Sequence, residues 1–239
     1  MSPKSLFTGC VTLQPLVQHS WCISPRRARA LQRQLAAAVI RNPTCDLRRI
    51  RWVLATDVSY ARETDTCYGA AVIWDYRRQR ELAAATARRR ARFPYVPGLL
   101  SFREIPVLLA AIAKLDHRVD LMLAEGQGWA HPRGFGLACH LGVIYDLPAV
   151  GCAKTRLVGH HREPAAGRGG WTALHYRGLI VGSVLRTWTQ VKPVYVSPGH
   201  RISLAQGRRV VLRLSDRYRL PEPLRRAHAL ANQVRRDQA

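Results

Sequence analysis

Three carboxylates stand out in a 239-residue chain that contains only 15 acidic residues. Asp57 ends the apolar run 53–56, Glu125 ends the apolar run 121–124, and Glu104 opens a helical pattern. Side chains at strand ends point into the crevice where open α/β sheets bind ligands. Three converging carboxylates would form a hard oxygen site suited to Mg²⁺, which orients phosphate oxygens and activates water.

Each of these carboxylates also has a structural interpretation. Glu104 lies three residues after Ser101, which is the spacing of a helix capping box. Asp57 could cap a turn, and Glu125 could pair with one of the many arginines. The three positions alone leave both interpretations open.

A second candidate feature is an aromatic ring held between two prolines, Pro94 and Pro97. The prolines stiffen the backbone, so the ring of Tyr95 can project from the surface at little entropic cost. Proteins that extract a base from a duplex often fill the vacated space with such a side chain. An ordinary packed turn is the alternative.

Several polar residues could bind the base or phosphates of a nucleic acid. The glycines of Gly126-Gln127-Gly128 allow close approach of a ligand to the backbone, and His131 and Arg133 follow them. A mobile surface loop is the alternative. Lys154 follows an apolar strand and could bind phosphate, and His200 precedes a predicted helix whose N-terminal amides favour anions.

The elements that must position these residues follow from hydrophobic periodicity. Ser24 as N-cap and Pro25 at the first helical position begin a basic helix over 26–41. Further strands are predicted at 52–60, 68–75, 81–89, 119–125, 149–153, 179–187 and 194–197, and further helices at 102–115, 137–145, 203–215 and 223–236. Sequential strands followed by alternation with helices predict a single α/β domain with a mixed sheet. We expect it to span 24–236, after a loosely ordered leader (1–23) without chemistry and before a short tail (237–239).

Composition favours a polyanionic partner. The net charge is +23 and the sequence pI is about 11.2. This charge favours a nucleic-acid partner, although it would equally suit an anionic membrane surface or an acidic protein. Only four of the 38 basic residues are lysines. Because such an arginine bias can reflect genome composition as much as phosphate binding, the charge alone gives only moderate support for a nucleic-acid partner. The six cysteines form no CxxC pair, and no apolar run reaches the roughly 18 residues of a membrane span. These features predict a soluble, cytoplasmic protein with reduced thiols and no membrane partner, and they do not constrain the oligomeric state.

Taken together, several blocks resemble the endonuclease V (deoxyinosine 3′-endonuclease) family. The resemblance extends from about Val53 to Ala227, and its most specific blocks are Thr56-Asp57-Val58-Ser59-Tyr60, Pro94-Tyr95-Val96-Pro97-Gly98-Leu99-Leu100-Ser101-Phe102-Arg103-Glu104, Glu125-Gly126-Gln127-Gly128 with His131-Pro132-Arg133, Gly151-Cys152-Ala153-Lys154, Ser197-Pro198-Gly199-His200-Arg201 and Leu220-Pro221-Glu222-Pro223. It implies an RNase H-like fold with helices flanking the mixed sheet.

The resemblance also implies an activity. It is that of a Mg²⁺-dependent DNA repair endonuclease. The enzyme would recognise hypoxanthine in DNA, or in inosine-containing RNA, and cut the second phosphodiester bond on its 3′ side to leave 3′-hydroxyl and 5′-phosphate ends.

Residue roles carry over by position. Asp57, Glu104 and Glu125 match the acidic metal site, and His200 is matched to the catalytic-site histidine. Tyr95, between Pro94 and Pro97, matches the wedge. Positions matched to the base pocket or to active-site and phosphate contacts are Gly126, Gln127, Gly128, His131, Arg133, His140 and Lys154.

One departure from the family pattern affects the metal site. The family block after the fourth strand is Val-Asp-Gly, whereas this chain has Ala124-Glu125-Gly126. The additional methylene moves the carboxylate by about 1 Å or more, which octahedral Mg²⁺ tolerates poorly. Alternatively, Glu125 binds the metal through another carboxylate mode, or the site favours Mn²⁺ as a substitute. The sequence therefore leaves three hypotheses: an active inosine-directed nuclease, a catalytically weak binder of inosine-containing or distorted nucleic acid, and a generic basic nucleic-acid-binding protein.

Overall fold

Eight strands form one mixed sheet. The computed structural model describes residues 13–41, 45–61 and 63–238. The strands are β1 (Trp52–Ala61), β2 (Thr66–Asp75), β3 (Arg80–Arg90), β4 (Leu121–Glu125), β5 (Ala149–Ala153), β6 (Trp171–Tyr176), β7 (Leu179–Leu185) and β8 (Val194–His200). Their order is β3-β2-β1-β4-β5-β8-β7-β6, with β1, β4 and β5 parallel at the centre and antiparallel pairs on both sides.

Helices cover both faces of the sheet, because the strand side chains alternate between two apolar cores. The helices are α1 (Pro25–Ala37), α2 (Leu100–Ile112), α3 (Leu137–Tyr145), α4 (Leu204–Leu214) and α5 (Glu222–Asp237). Val53, Ala55 and Leu123 face α4 and α5. Leu54 and Met122 face α2 and α3. The result is a three-layer α/β domain, and this confirms the predicted fold class.

The N-terminal segment packs onto this domain. Ser24 caps α1 by accepting a hydrogen bond from the Arg27 amide, as predicted, and Leu35 of α1 joins a core cluster with residues of α3. Residues 13–23 have no regular secondary structure, but the Leu16 amide donates to the Ile144 carbonyl at 2.7 Å. The described part of the predicted leader is therefore held against α3, and residues 1–12 lie outside the described residues.

Two local predictions differ from the structure. The sequence analysis missed β6, whose pattern of burial is irregular: Trp171 and His175 are exposed and only Leu174 is fully buried. The capping box at Ser101 is wrong, since α2 begins at Leu100 after Leu99 as N-cap. The Ser101 hydroxyl instead lies 3.0 Å from Nδ1 of His140.

Two further expectations concern cysteines and membranes. All five described cysteines, Cys22, Cys45, Cys67, Cys139 and Cys152, are free thiols. No helix in the described ranges combines the length and the apolar character that crossing a bilayer requires.

Candidate active site

Parallel pairing of two central strands brings two predicted carboxylates together. The β1–β4 pairing ends at Thr56 and Ala124, so Asp57 and Glu125 follow at the same edge of the sheet. By the alternation of each strand, both side chains lie on the face that packs against α5. Asp57 is 8% exposed, so the acidic pair is largely shielded from water.

Asp57 is held by its own strand and by α5. Its Oδ1 accepts a hydrogen bond from the Val58 amide at 2.8 Å, and its Oδ2 lies 2.6 Å from Nδ1 of His228. The other ring nitrogen of His228 lies 3.1 Å from the amide of Asn232, one helical turn later. The hydrogen bond with Asp57 raises the pKa of His228 above its ordinary value.

Glu125 presents one paired and one unpaired oxygen. Its Oε1 lies 2.6 Å from Nζ of Lys154, which directly follows β5. Its Oε2 is buried, has no hydrogen-bond partner among the described residues, and lies 3.9 Å from Nδ1 of His228. Burial, and then the negative charge of Asp57, raise the pKa of Glu125. An unpaired buried carboxylate oxygen is costly unless a cation or a donor satisfies it.

Glu104 approaches the same site from α2. It is 6% exposed and accepts a hydrogen bond from the hydroxyl of Tyr60. Burial raises the pKa of Glu104 to about 8, and the charges of Asp57 and Glu125 act in the same direction. The three carboxylates therefore repel one another, and a divalent cation would relieve that repulsion.

The donor set fits a metal ion. Ligand atoms of Asp57, Glu125 and His228 all lie within 4.8 Å of one another. Carboxylate oxygens favour Mg²⁺ and Mn²⁺, and the unpaired Oε2 of Glu125 is available as a ligand. The longer side chain of Glu125 thus reaches the cluster from the end of β4.

Asp57, Glu104 and Glu125 together form the acidic cluster. A cavity of about 290 Å³ lies next to it. Its lining includes Tyr95, Pro97, Gly126, Gln127 and His131, so the predicted wedge and most of the predicted base pocket meet. The volume is near the lower end of the roughly 300–1,000 Å³ range of ligand pockets. Tyr95 is 72% exposed in the loop that also contains Pro94, as a wedge requires.

Backbone contacts keep this pocket compact. Gly128 lies under β8, where an added Cβ atom would lie 2.0 Å from the Pro198 carbonyl oxygen. Only glycine allows that approach. Nε2 of His131 lies 3.0 Å from the Gly98 carbonyl oxygen, and burial lowers the pKa of His131 to about 4. The imidazole of His131 is therefore neutral at pH 7 and offers no charge to the pocket.

The assignment of His200 to the acidic site is wrong. His200 pairs with Ala149 at the start of β5, whereas Glu125 pairs with Cys152 near its end. His200 therefore lies at the opposite end of the central strands from Glu125. Its Nδ1 accepts from the Ile40 amide at 3.1 Å and its Nε2 lies 2.9 Å from Asp146. His200 also ends β8 and does not begin a helix.

Two predicted phosphate ligands have structural contacts instead. His140 is completely buried, with Nδ1 3.0 Å from Ser101 and Nε2 2.8 Å from Nε2 of His19. It cannot contact a phosphate from this position. Arg133 donates to Oε1 of Gln32 and, at 2.6 Å, to the Gly98 carbonyl, so two of its donors hold the loop beside the wedge.

The residue that the sequence analysis missed is His228. Leu224, Ala227 and Ala231 form the buried stripe of α5, and His228 flanks that stripe with Asn232 one turn further on. Polar residues four positions apart beside an apolar stripe were the available signal. The resemblance was traced only to Ala227, one residue short of it.

Comparison with known proteins places these features in a family. The endonuclease V family model matches residues 33–229. The chain is 46% identical to endonuclease V of Roseiflexus castenholzii over 224 residues, which cover 93% of this chain and 99% of the relative. This chain belongs to the endonuclease V family.

Solved structures agree with this assignment. Endonuclease V of Streptomyces avermitilis superposes with a TM-score of 0.88 at 40% identity, covering 95% of this chain and 99% of that one. Endonuclease V of Ciona intestinalis, solved in complex with a DNA that contains an inosine followed by a ribo-adenosine, has a TM-score of 0.78 at 21% identity and coverages of 90% and 98%. The predicted family and its RNase H-like fold are confirmed. Endonuclease V proteins are metal-dependent nucleases that act on phosphodiester bonds, and the acidic cluster of this chain is consistent with that chemistry.

Proposed function

We propose that this chain is a Mg²⁺-dependent DNA repair endonuclease that recognises deoxyinosine and hydrolyses the second phosphodiester bond on its 3′ side. The observation that carries the proposal is the adjacency of the acidic cluster and the cavity. Glu125 belongs to the cluster, and the next two residues, Gly126 and Gln127, line the cavity. A base in the cavity and a phosphate at the cluster would be neighbours on one strand. The inosine in the Ciona intestinalis complex supports hypoxanthine as that base.

Asp57, Glu104 and Glu125 would hold the metal ion. A divalent cation there polarises the phosphate and lowers the pKa of a bound water molecule. Its positive charge would also satisfy Oε2 of Glu125, for which no described residue provides a hydrogen bond. Mg²⁺ fits the three carboxylates, and Mn²⁺ is a suitable substitute.

His228 and Lys154 keep these carboxylates in position. His228 bonds to Asp57 through Nδ1 and to Asn232 through Nε2, so both ring nitrogens are engaged. Lys154 holds Oε1 of Glu125, and its remaining ammonium protons can donate to a phosphate oxygen. In the reaction, the oxygen of water bonds to phosphorus as the P–O3′ bond breaks. The attacking water gives up a proton to the solvent, the O3′ atom takes up a proton from the solvent and leaves as a hydroxyl, and the phosphate stays on the 5′ end of the other product.

The cavity and the loop beside it would handle the base. The Gln127 side chain donates to the Thr155 carbonyl at 3.0 Å, and the Ser197 hydroxyl lies 3.4 Å from its Oε1, so its amide orientation is fixed. The exposed ring of Tyr95 would occupy the space that the flipped base leaves in the stack. A cytoplasmic location belongs to the same proposal, since a reducing compartment would keep the described cysteines as free thiols.

The test is cleavage of end-labelled duplexes that carry either one deoxyinosine or adenine at the same position, in Mg²⁺ and in Mn²⁺. We expect one cut, one nucleotide beyond the inosine, with a 3′-hydroxyl that a polymerase extends and a 5′-phosphate that a phosphatase removes. Equal cleavage of the adenine duplex would contradict inosine recognition. No cleavage in either metal, with inosine binding retained, would indicate an inosine-binding protein without nuclease activity.

A further inference from the structure

A second groove lies beside the base cavity. Its volume is about 470 Å³, and it runs between α1, the loop 129–134 and the turn that joins β6 to β7. His131 lines both the groove and the base cavity, so the two are contiguous. The proposed function assigns no role to this groove.

The groove is strongly basic. Its lining contains Arg33, Arg41, Arg133 and Arg177, and no carboxylate of the described residues is among the lining side chains. Arg33, Arg41 and Arg177 are exposed, and none of the three forms an ion pair with a carboxylate in the described ranges. An unneutralised cluster of guanidinium groups is complementary to a polyanion.

Apolar and aromatic side chains alternate with these charges. The Arg41 guanidinium lies 5.2 Å from the ring centre of Trp129, and that of Arg177 lies 5.1 Å from the ring centre of Tyr176. At the β6–β7 turn, Leu179 is 60% and Ile180 is 52% exposed. Grooves that bind single strands combine cationic side chains for the backbone with aromatic and apolar surfaces for bases.

The position of the groove sets the direction of the strand. Gly126 and Gln127 of the cavity directly follow Glu125, whereas none of Asp57, Glu104 and Glu125 lines the groove and His131 lines both the cavity and the groove. The cavity thus lies between the acidic cluster and the groove. Because the proposed function puts the bond on the 3′ side of the inosine at the cluster, the groove lies on the 5′ side.

We propose that this groove binds the nucleotides on the 5′ side of the inosine, through contacts from Arg33, Arg41 and Arg177 to the backbone. This inference rests on the proposed function. It makes affinity depend on the length of DNA 5′ to the lesion, although the scissile bond is on the other side.

The experiment measures binding of single-stranded oligonucleotides by fluorescence anisotropy in EDTA, which prevents cleavage. Each oligonucleotide has the same 3′ flank and either one nucleotide or about ten nucleotides 5′ to the inosine. The test variant is Arg33→Ala/Arg177→Ala. The matched control is Arg78→Ala/Arg80→Ala, which removes the same charge from the exposed β2–β3 turn at the opposite edge of the sheet. Thermal unfolding of each variant checks its folding.

We expect the test variant to bind the long 5′ flank roughly 10- to 30-fold more weakly at about 0.1 M salt, with a salt slope lower by about 1.4. Its affinity for the short 5′ flank should equal that of the wild type, and the control should change neither affinity. The proposal would be overturned if the test variant bound both oligonucleotides as tightly as the wild type does, or if it lost the same affinity for both. Adenine-containing oligonucleotides separate the two claims. If the wild type binds inosine and adenine oligonucleotides equally well, the proposed function and the strand direction are both refuted. If it prefers inosine but its affinity does not depend on the 5′ flank, only the role of the groove is refuted.

Discussion

Replacing Glu125 by aspartate tests whether the longer side chain is built into this site. The substitution removes one methylene and withdraws the carboxylate by about 1 Å or more. The contact between Oε1 and Nζ of Lys154, now 2.6 Å, would lengthen to about 4 Å and cease to be a hydrogen bond. The carboxylate would also move away from Asp57 and His228, whose ligand atoms now lie within 4.8 Å of one of its oxygens.

We expect Glu125→Asp to lower the single-turnover rate of inosine-directed cleavage by about 100-fold at saturating Mg²⁺, because misplaced catalytic groups cost about that much. The assay mixes excess enzyme with a labelled inosine duplex and follows product with time. Glu125→Gln, which keeps the length and removes the charge, is the matched control and should be at least as slow. A Glu125→Asp enzyme as fast as the wild type, or faster, would refute this reasoning, since it would mean that glutamate impairs the metal site.

Four further substitutions test the roles assigned to Glu104, His228, His200 and Tyr95. Burial raises the pKa of Glu104 to about 8, so the metal-free folded state holds a proton that the unfolded chain has lost. The unfolding free energy of the wild type in EDTA should therefore fall by about 1–2 kcal/mol from pH 6.5 to 8, and Glu104→Gln should remove most of that fall. Denaturant titrations that show no pH dependence in the wild type would contradict this prediction. His228→Ala should slow cleavage by about 10- to 100-fold with little change in stability, whereas His200→Ala should lower the unfolding free energy by about 1–3 kcal/mol and leave the rate per folded enzyme unchanged. If rate and denaturation measurements instead showed that His200→Ala slows cleavage and that His228→Ala lowers only the unfolding free energy, His200 would belong to the site. Tyr95→Ala should weaken binding of an inosine duplex by about 5- to 150-fold and leave the melting temperature unchanged; undiminished affinity would exclude a wedge role.

The central strands and their carboxylates could be predicted because their signals are local. Apolar runs that lead to an acid predicted two central strands, and the parallel pairing of β1 with β4 then placed Asp57 beside Glu125. The helix over 137–145 and the strand over 149–153 were predicted with their observed bounds. Both are strongly apolar, the helix lies between Gly136 and Asp146, and the strand begins directly after Pro148.

The errors arose where contacts are non-local. The local sequence predicted that His200 begins a helix with an anion site, and the resemblance assigned it to the catalytic site. In the structure, β8 runs antiparallel to β5 and carries His200 to the other end of that strand. His228 lies 171 positions from Asp57, and only the packing of α5 on the sheet brings the two together. The buried contacts of His140 with Ser101 and His19 likewise depend on how α2 and the segment 13–23 pack against α3.

The central claim is that Asp57 and Glu125, which follow the last parallel pair of β1 and β4, hold the metal that drives inosine-directed cleavage. The most direct measurement compares the wild type with Asp57→Asn, using one labelled deoxyinosine duplex for both cleavage in Mg²⁺ and binding in EDTA. The account predicts that Asp57→Asn binds the duplex with near wild-type affinity and does not cut it. Cleavage by Asp57→Asn at the wild-type rate, one nucleotide beyond the inosine, would contradict the account.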